Sequence, residues 1–216
     1  AQRLIQQTNI DSIVLDDAYQ HRWIARNIDL LIFDQRFLIS QNNLRRKLLP
    51  TGNLREPFSE TKRADAIILN RKFYERKEIP EKLKKYFDGK KIFNAYYKAL
   101  GFIDVKKNTF YSPEEFIGQK SLVTSGIANP HSFMTALENL NIETTNKLIF
   151  WDHKFYNLED IENIRKQFYS TNSQSVITTH KDAVKFLKYA RELDDIDIYY
   201  LKIELMFDEQ KEFNDF

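Results

Sequence analysis

The run Ile13-Val14-Leu15-Asp16-Asp17-Ala18-Tyr19-Gln20-His21 sets an apolar, β-branched segment directly against two adjacent carboxylates and a Gln-His pair. A buried parallel strand ends this way where a carboxylate holds Mg²⁺ against phosphates, so that charge developing on a transferred phosphoryl group is neutralised. Asp16 and Asp17 occupy that place. The companion loop of such sites, G-x-x-x-x-G-K-[ST], cradles phosphates with backbone N–H groups. The chain's five glycines, Gly52, Gly89, Gly101, Gly118 and Gly126, offer no pair at that spacing. Read from its residues alone, the segment is either a cation-holding strand end or a strand end capped by solvated carboxylates.

Further apolar, β-branched runs follow at residues 30–33, 66–69, 121–123, 147–150 and 175–177. Most precede a polar residue and then a helical or loop segment, the rhythm of a parallel sheet with crossover helices. Residues 158–168, with Ile161, Ile164 and Phe168, and residues 181–193, with Val184, Leu187 and Leu193, read as amphipathic helices. Two longer aromatic runs differ in character: 91–102 (KIFNAYYKALGF) and 195–207 (DIDIYYLKIELMF). Paired antiparallel, they would form a ribbon between two lobes, a low-contact hinge. Residues 40–62, with Pro50, Gly52 and Pro57, read as a long loop, and long loops in compact domains tend to carry function.

With 216 residues, 42% hydrophobic and 30% charged, the chain has the composition of one or two globular domains. The absence of cysteine excludes disulfides and thiolate metal sites, and favours a cytosol-facing location. The 33 basic and 31 acidic residues are well mixed, so no broad field points to nucleic acid. The lysines at 82, 84, 85, 90 and 91 read as a solvated helix face and turn. No run has the length of a membrane-crossing helix, which leaves peripheral membrane contact only. Aromatic content of 14% reads mainly as core, with Trp23 and Phe37 as the exceptions available to an acyl surface. Residues 3–7 read as the tail of a helix running into residue 13. An α/β domain ordinarily starts earlier, so upstream sequence is expected.

Several motifs stand in order: Leu15-Asp16-Asp17-Ala18-Tyr19-Gln20-His21-Arg22, Leu49-Pro50-Thr51-Gly52-Asn53-Leu54-Arg55-Glu56-Pro57 and Lys62-Arg63-Ala64-Asp65-Ala66. Ser125-Gly126-Ile127-Ala128-Asn129-Pro130, Asp152-His153 and Thr178-Thr179-His180-Lys181-Asp182-Ala183-Val184 complete the series. Together they resemble the tetraacyldisaccharide 4'-kinase family over nearly the whole chain. The resemblance implies ATP-dependent, Mg²⁺-assisted phosphorylation of the 4'-hydroxyl of a tetraacylated glucosamine disaccharide 1-phosphate, a step of lipid A biosynthesis, at the cytoplasmic face of the inner membrane. It also implies an α/β fold: a P-loop-type parallel sheet remnant over residues 1–90, then linker strands 91–103 and 195–207 with a second α/β lobe over 91–207, and a tail at 208–216. The family's phosphate loop, membrane anchor and base carboxylate would precede residue 1, so the 216 residues alone are expected not to turn over ATP.

Residue by residue, the resemblance places Asp16 and Asp17 on the family's acidic pair, in Mg²⁺ binding and catalysis. Gln20 and His21 fall on the polar pair beside it, and Arg55 and Glu56 on the Arg-Glu of the substrate-facing loop. A planar guanidinium suits a phosphate bidentately, and that substrate carries one. His153 matches the family's Asp-His and would assist the base or position the hydroxyl, since imidazole titrates near neutral pH. His131 reads as helix-start decoration, and His180 replaces a residue usually acidic in the family. Ala18 stands where the family has Gly; a φ above zero there would cost about 1 kcal/mol. Two other functions stay open: a noncatalytic glycolipid-phosphate-binding relative, and a P-loop kinase of another small molecule.

Overall fold

The computed structural model describes residues 10–40 and 47–216, in two compact units. Of the described residues, the first takes in 10–40, 47–70 and 76–94, the second 71–75 and 95–216. The expected helix tail at residues 3–7 lies outside the described residues.

In the first unit, β1 (Leu30–Asp34) leads directly into α1 (Gln35–Ile39), β2 (Ala66–Asn70) follows, and α2 (Glu81–Lys84) is a single turn. Asp34 closes the strand and opens the helix, its side chain accepting the Arg36 N–H at 2.8 Å. β1 and β2 pair in parallel from Leu30 opposite Ala66 to Asp34 opposite Asn70. Alternation along β2 sends Ile67 and Leu69 into a cluster with Leu38, Leu83 and Phe87. Phe33 stacks on Phe58 (5.7 Å) and meets Phe87 edge-on (5.6 Å). Phe37 packs, partly buried, against the same cluster, 6.3 Å from the Phe58 ring, so most of it serves that core. Trp23 is exposed.

Residues 13–15 do not form the expected strand. A strand needs a ladder partner, and among the described residues β1 pairs only with β2, while Val14 is 92% exposed. The segment is extended chain running into turns at residues 16–24.

β3 (Lys91–Asp104) carries the chain into the second unit. There follow β4 (Phe110–Tyr111), β5 (Ser121–Ser125), α3 (Pro130–Glu138), β6 (Lys147–Ile149), α4 (Leu158–Ser170), β7 (Ser175–Thr179), α5 (His180–Phe186), β8 (Ile198–Phe207) and α6 (Gln210–Asn214). β6, β5, β7 and β8 lie side by side in parallel, joined by crossover helices. β3 pairs antiparallel with β8, from Ala95 opposite Phe207 to Asp104 opposite Tyr199, which is the ribbon expected from the two aromatic runs.

Both faces of this sheet are covered. Val123, Ile177, Leu201 and Phe102 pack on one side with Phe133, Met134 and Leu137 of α3. Their neighbours Leu122, Val176 and Ile198 pack on the other with Ile161, Ile164 and Phe168 of α4. Strands sandwiched this way read as continuous apolar runs, which is why short β-branched runs marked them. α4 matches its expected apolar stripe, and Asn157 caps it, exchanging hydrogen bonds with Asp160 at 2.9 Å each way. The stripe expected over 181–193 is corrected: α5 ends at Phe186, Ala183 and Phe186 are buried, and Val184 and Leu187 face solvent. Its start is fixed by Asp182, whose carboxylate is drawn inward, so the buried face lies one position away from the one the apolar spacing marks.

Gly101 sits at a bulge in β3 with φ +152°, where an added Cβ would come within 2.6 Å of both the Tyr111 carbonyl oxygen and the Phe110 ring. Gly101→Ala is therefore expected to destabilise the fold by about 1 kcal/mol or more; an unchanged denaturant midpoint would contradict this packing. Tyr199 packs edge-on against Tyr111 (5.3 Å) and Phe116 (4.9 Å). Burial, with Asp197 and other acidic groups adding, pushes its hydroxyl from 10.0 up to about 12. Because the folded value lies above the unfolded one, this contribution to stability is whole below pH 10 and is lost as pH rises towards 12. Tyr199→Phe should flatten that alkaline fall, read as unfolding free energy across the same interval.

Candidate functional site

Six of the seven candidate residues lie in the first unit, on residues 16–24 and 55–56. The segment is held by arginines. Arg26 Nη1 donates to the carbonyls of His21 (2.7 Å) and Ala18 (3.2 Å), closing the turn that presents Gln20 and His21 to solvent, and its Nη2 donates to Asp29 (3.1 Å). Asp29 and Asp65 exchange backbone and side-chain hydrogen bonds (2.7 and 2.9 Å), tying this segment to the start of β2.

Arg63 is the hub. Its guanidinium lies 4.2 Å over the Tyr19 ring, donates to the Tyr19 carbonyl (2.9 Å) and to Glu60 (3.1 Å), and pairs with Glu56. The Tyr19 hydroxyl in turn donates to the Glu60 carbonyl at 2.6 Å, and burial raises its pKa against the opposing Arg63 charge. Arg63 stood within a recognised motif, but only the fold reveals that it collects partners separated by up to 44 residues.

The Arg55-Glu56 pair therefore divides. Glu56 is spent on Arg63, half-buried, whereas Arg55 reaches across to Asp17, its Nη1 standing 2.7 and 2.8 Å from the two carboxylate oxygens. Both members of that second pair are exposed. Asp17, not Ala18, takes the left-handed conformation (φ 51°), so the absence of Gly at position 18 costs nothing in backbone strain. A groove of about 450 Å³ runs along the same loop, lined by Lys47, Leu48, Thr51, Leu54, Pro57 and Tyr86 among others.

Among the described residues no three His, Cys, Asp or Glu side chains are grouped to enclose a metal. Mg²⁺ asks for less: one or two carboxylates, with phosphate and water oxygens completing its shell. Asp16, exposed and outside any ion pair among the described residues, fits as such a hard donor. Asp17 has both oxygens committed to Arg55 in this arrangement.

His153 lies in the second unit, in the connection from β6 to α4. It is exposed, with φ 55°, its backbone N–H donating to Asp152 (2.8 Å) and its Nε2 3.5 Å from that carboxylate. Trp151 and Phe155 beside it are each 90% exposed. His131 is exposed in the first turn of α3, as expected, and His180 stacks on Tyr200 at 4.6 Å. No helix among the described residues is long and apolar enough to cross a membrane.

The sequence model of the family LpxK, tetraacyldisaccharide-1-P 4'-kinase, matches residues 1–216. A tetraacyldisaccharide 4'-kinase of Halothermothrix orenii is 31% identical over 213 residues, covering 91% of this chain and 54% of the relative. One of Desulfatibacillum aliphaticivorans is 29% identical over 214 residues, covering 94% and 55%. The chain spans about half the length of the curated relatives it matches. Among solved structures, the "apo" form of LpxK from Aquifex aeolicus in complex with ATP superposes with a TM-score of 0.69 at 22% identity, covering 99% of this chain and 59% of that one, a likeness of fold.

The two arginines separate by experiment. Arg63→Leu strands two sheltered carboxylates and should cost about 2 kcal/mol, whereas Arg55→Ala removes an exposed pair and should stay within about 0.5 kcal/mol. Denaturant unfolding of both variants checks this, and equal losses would contradict it.

Proposed function

We propose, from the premise that this chain belongs to the tetraacyldisaccharide-1-P 4'-kinase family, that it forms the acceptor and metal side of an ATP-dependent lipid kinase. The γ-phosphoryl group passes to the 4'-hydroxyl of a tetraacylated disaccharide 1-phosphate: the bond from γ-phosphorus to the bridging oxygen of ADP breaks, and one from phosphorus to the sugar oxygen forms. The hydroxyl proton leaves to a base. Residues 1–90 form part of the nucleotide-binding core, residues 91–103 and 195–207 the connecting strands, and the rest of 91–207 a second lobe. The reaction takes place at the cytoplasmic face of the inner membrane, with peripheral contact from this part.

The observation that carries the reading is the exposed Arg55–Asp17 pair beside Asp16. An exposed ion pair adds little to stability, so an arginine held there against an acidic pair is better accounted for by a ligand. Asp16, with Asp17 once released, would hold Mg²⁺, which when bound neutralises charge on the phosphates. Arg55, freed from Asp17 by an arriving phosphate, has a planar fork to grip it. Gln20 and His21 offer amide and imidazole groups to the sugar from the neighbouring turn. Glu56 acts indirectly, holding Arg63 and so the loop. His153 orients the acceptor hydroxyl or assists its deprotonation.

The test is phosphate transfer from labelled ATP to the acylated disaccharide 1-phosphate by the full-length gene product. Asp16→Asn and His153→Ala should each lower kcat by about 100-fold or more, and the 216 residues alone, without a phosphate loop, should transfer nothing. Lipid binding with no transfer by the full-length protein would favour a noncatalytic relative; transfer to a soluble sugar would favour another kinase.

A further inference from the structure

The sheet of the second unit divides at β5 and β7. From β5 the chain crosses through α3 to β6 on one side, and from β7 through α5 to β8 on the other. Open α/β sheets place functional groups in the crevice at such a divide, beyond the carboxyl ends of the strands. A carboxylate without solvent access sits there. Asp182, in the first turn of α5, accepts the Gly126 N–H just after β5 (2.9 Å) and the Thr179 hydroxyl at the end of β7 (2.8 Å), while Lys185 Nζ donates to its other oxygen (3.0 Å).

The loop bearing His153 rests on Gly126. A Cβ at Gly126 would come 2.9 Å from Lys154 Cβ, 3.0 Å from the Tyr156 hydroxyl and 3.4 Å from the Trp151 carbonyl oxygen. Gly126 is thus needed for space, and the residues on both sides of His153 lie on it. The ends of the loop are fastened as well: Phe150 N–H donates to the Ser125 carbonyl (2.8 Å), Lys154 pairs with Asp160 (2.8 Å), and the Tyr189 hydroxyl donates to the Tyr156 carbonyl (2.6 Å). His153 itself holds a left-handed backbone, a conformation that a non-glycine residue keeps only where its surroundings impose it.

We infer that Asp182 is a positioning residue for His153: by fixing Gly126 it sets the floor under residues 151–156 and so places the imidazole. This rests on the reading of His153 as the group that attends the acceptor hydroxyl. Asp182 touches no reacting atom. Its effect passes through the backbone of Gly126, and a misplacement of about 1 Å is enough to cost a reaction some 100-fold.

The test uses Gly126→Ala and Asp182→Asn in the full-length gene product, each alone and combined with His153→Ala, with Val184→Ala, exposed on the same helix, as a control. Each variant is expected to lower kcat by about 100-fold while the KM for ATP stays within about twofold. Combined with His153→Ala, neither should lower the rate further, because residues acting as one unit are not additive. In the 216-residue chain the His153 Cε1–H resonance should shift in both variants and stay in place in the control. Rate losses that are the same with and without His153, or an unmoved resonance with an unchanged rate, overturn the inference. If Asp182→Asn does not fold, Gly126→Ala, which leaves the carboxylate in place, carries the same comparison. A shifted resonance together with a normal rate for His153→Ala supports the positioning and instead removes the catalytic reading of His153.

Discussion

The buried carboxylate of Asp182 ties the strand ends of the second unit together. Taking Asp182 out of water is tolerable only because a backbone N–H, a hydroxyl and an ammonium all meet it, and each belongs to a different turn of chain. The arrangement pins the end of β5 to the beginning of α5. Tyr156 lies beside this carboxylate: burial raises the pKa of its hydroxyl, and the Asp182 charge raises it further. The apolar clusters on the two faces of the sheet supply the bulk of the burial. The carboxylate decides which backbone conformation that burial stabilises at the strand ends.

The first unit solves a different problem with exposed chemistry. Residues 10–24 contribute little to a core, yet they hold a definite course because arginine side chains bridge their carbonyls to residues 29, 56 and 60. Planar guanidinium groups suit that task, donating in several directions while stacking on an aromatic ring. Arg63 is sheltered and structural, whereas Arg55 is exposed and its bond to Asp17 is easily exchanged. On the proposed reading a phosphate takes the place of Asp17 on Arg55, at small cost because an exposed ion pair contributes little to stability.

What the sequence disclosed follows from what burial writes into it. Residues 30–33, 66–69, 121–123 and 175–177 are legible because their strands are covered on one or both faces and must be apolar. The aromatic runs at 91–102 and 195–207 announced an antiparallel ribbon for the same reason. Residues 13–15 carry the same signature without the ladder partner that would make them a strand, and composition cannot distinguish the two cases. The shifted face of α5 has a comparable cause: a buried Asp outranks an exposed Val and Leu, against the usual hydrophobic order. Of the candidate site, the motifs marked loops, but the separate partners of Arg55 and Glu56, adjacent in sequence, are Asp17 and Arg63, which only the fold brings to them.

On the proposed reading, these residues serve phosphate transfer to one hydroxyl of an acylated disaccharide. The most direct measurement is the position of the new phosphate in the product made by the full-length protein, from phosphorus–proton correlation spectra. Coupling of the transferred phosphorus to the proton at the sugar's 4' carbon is the predicted result. A phosphate on any other carbon, or on a soluble sugar in preference to the acylated one, would contradict the account.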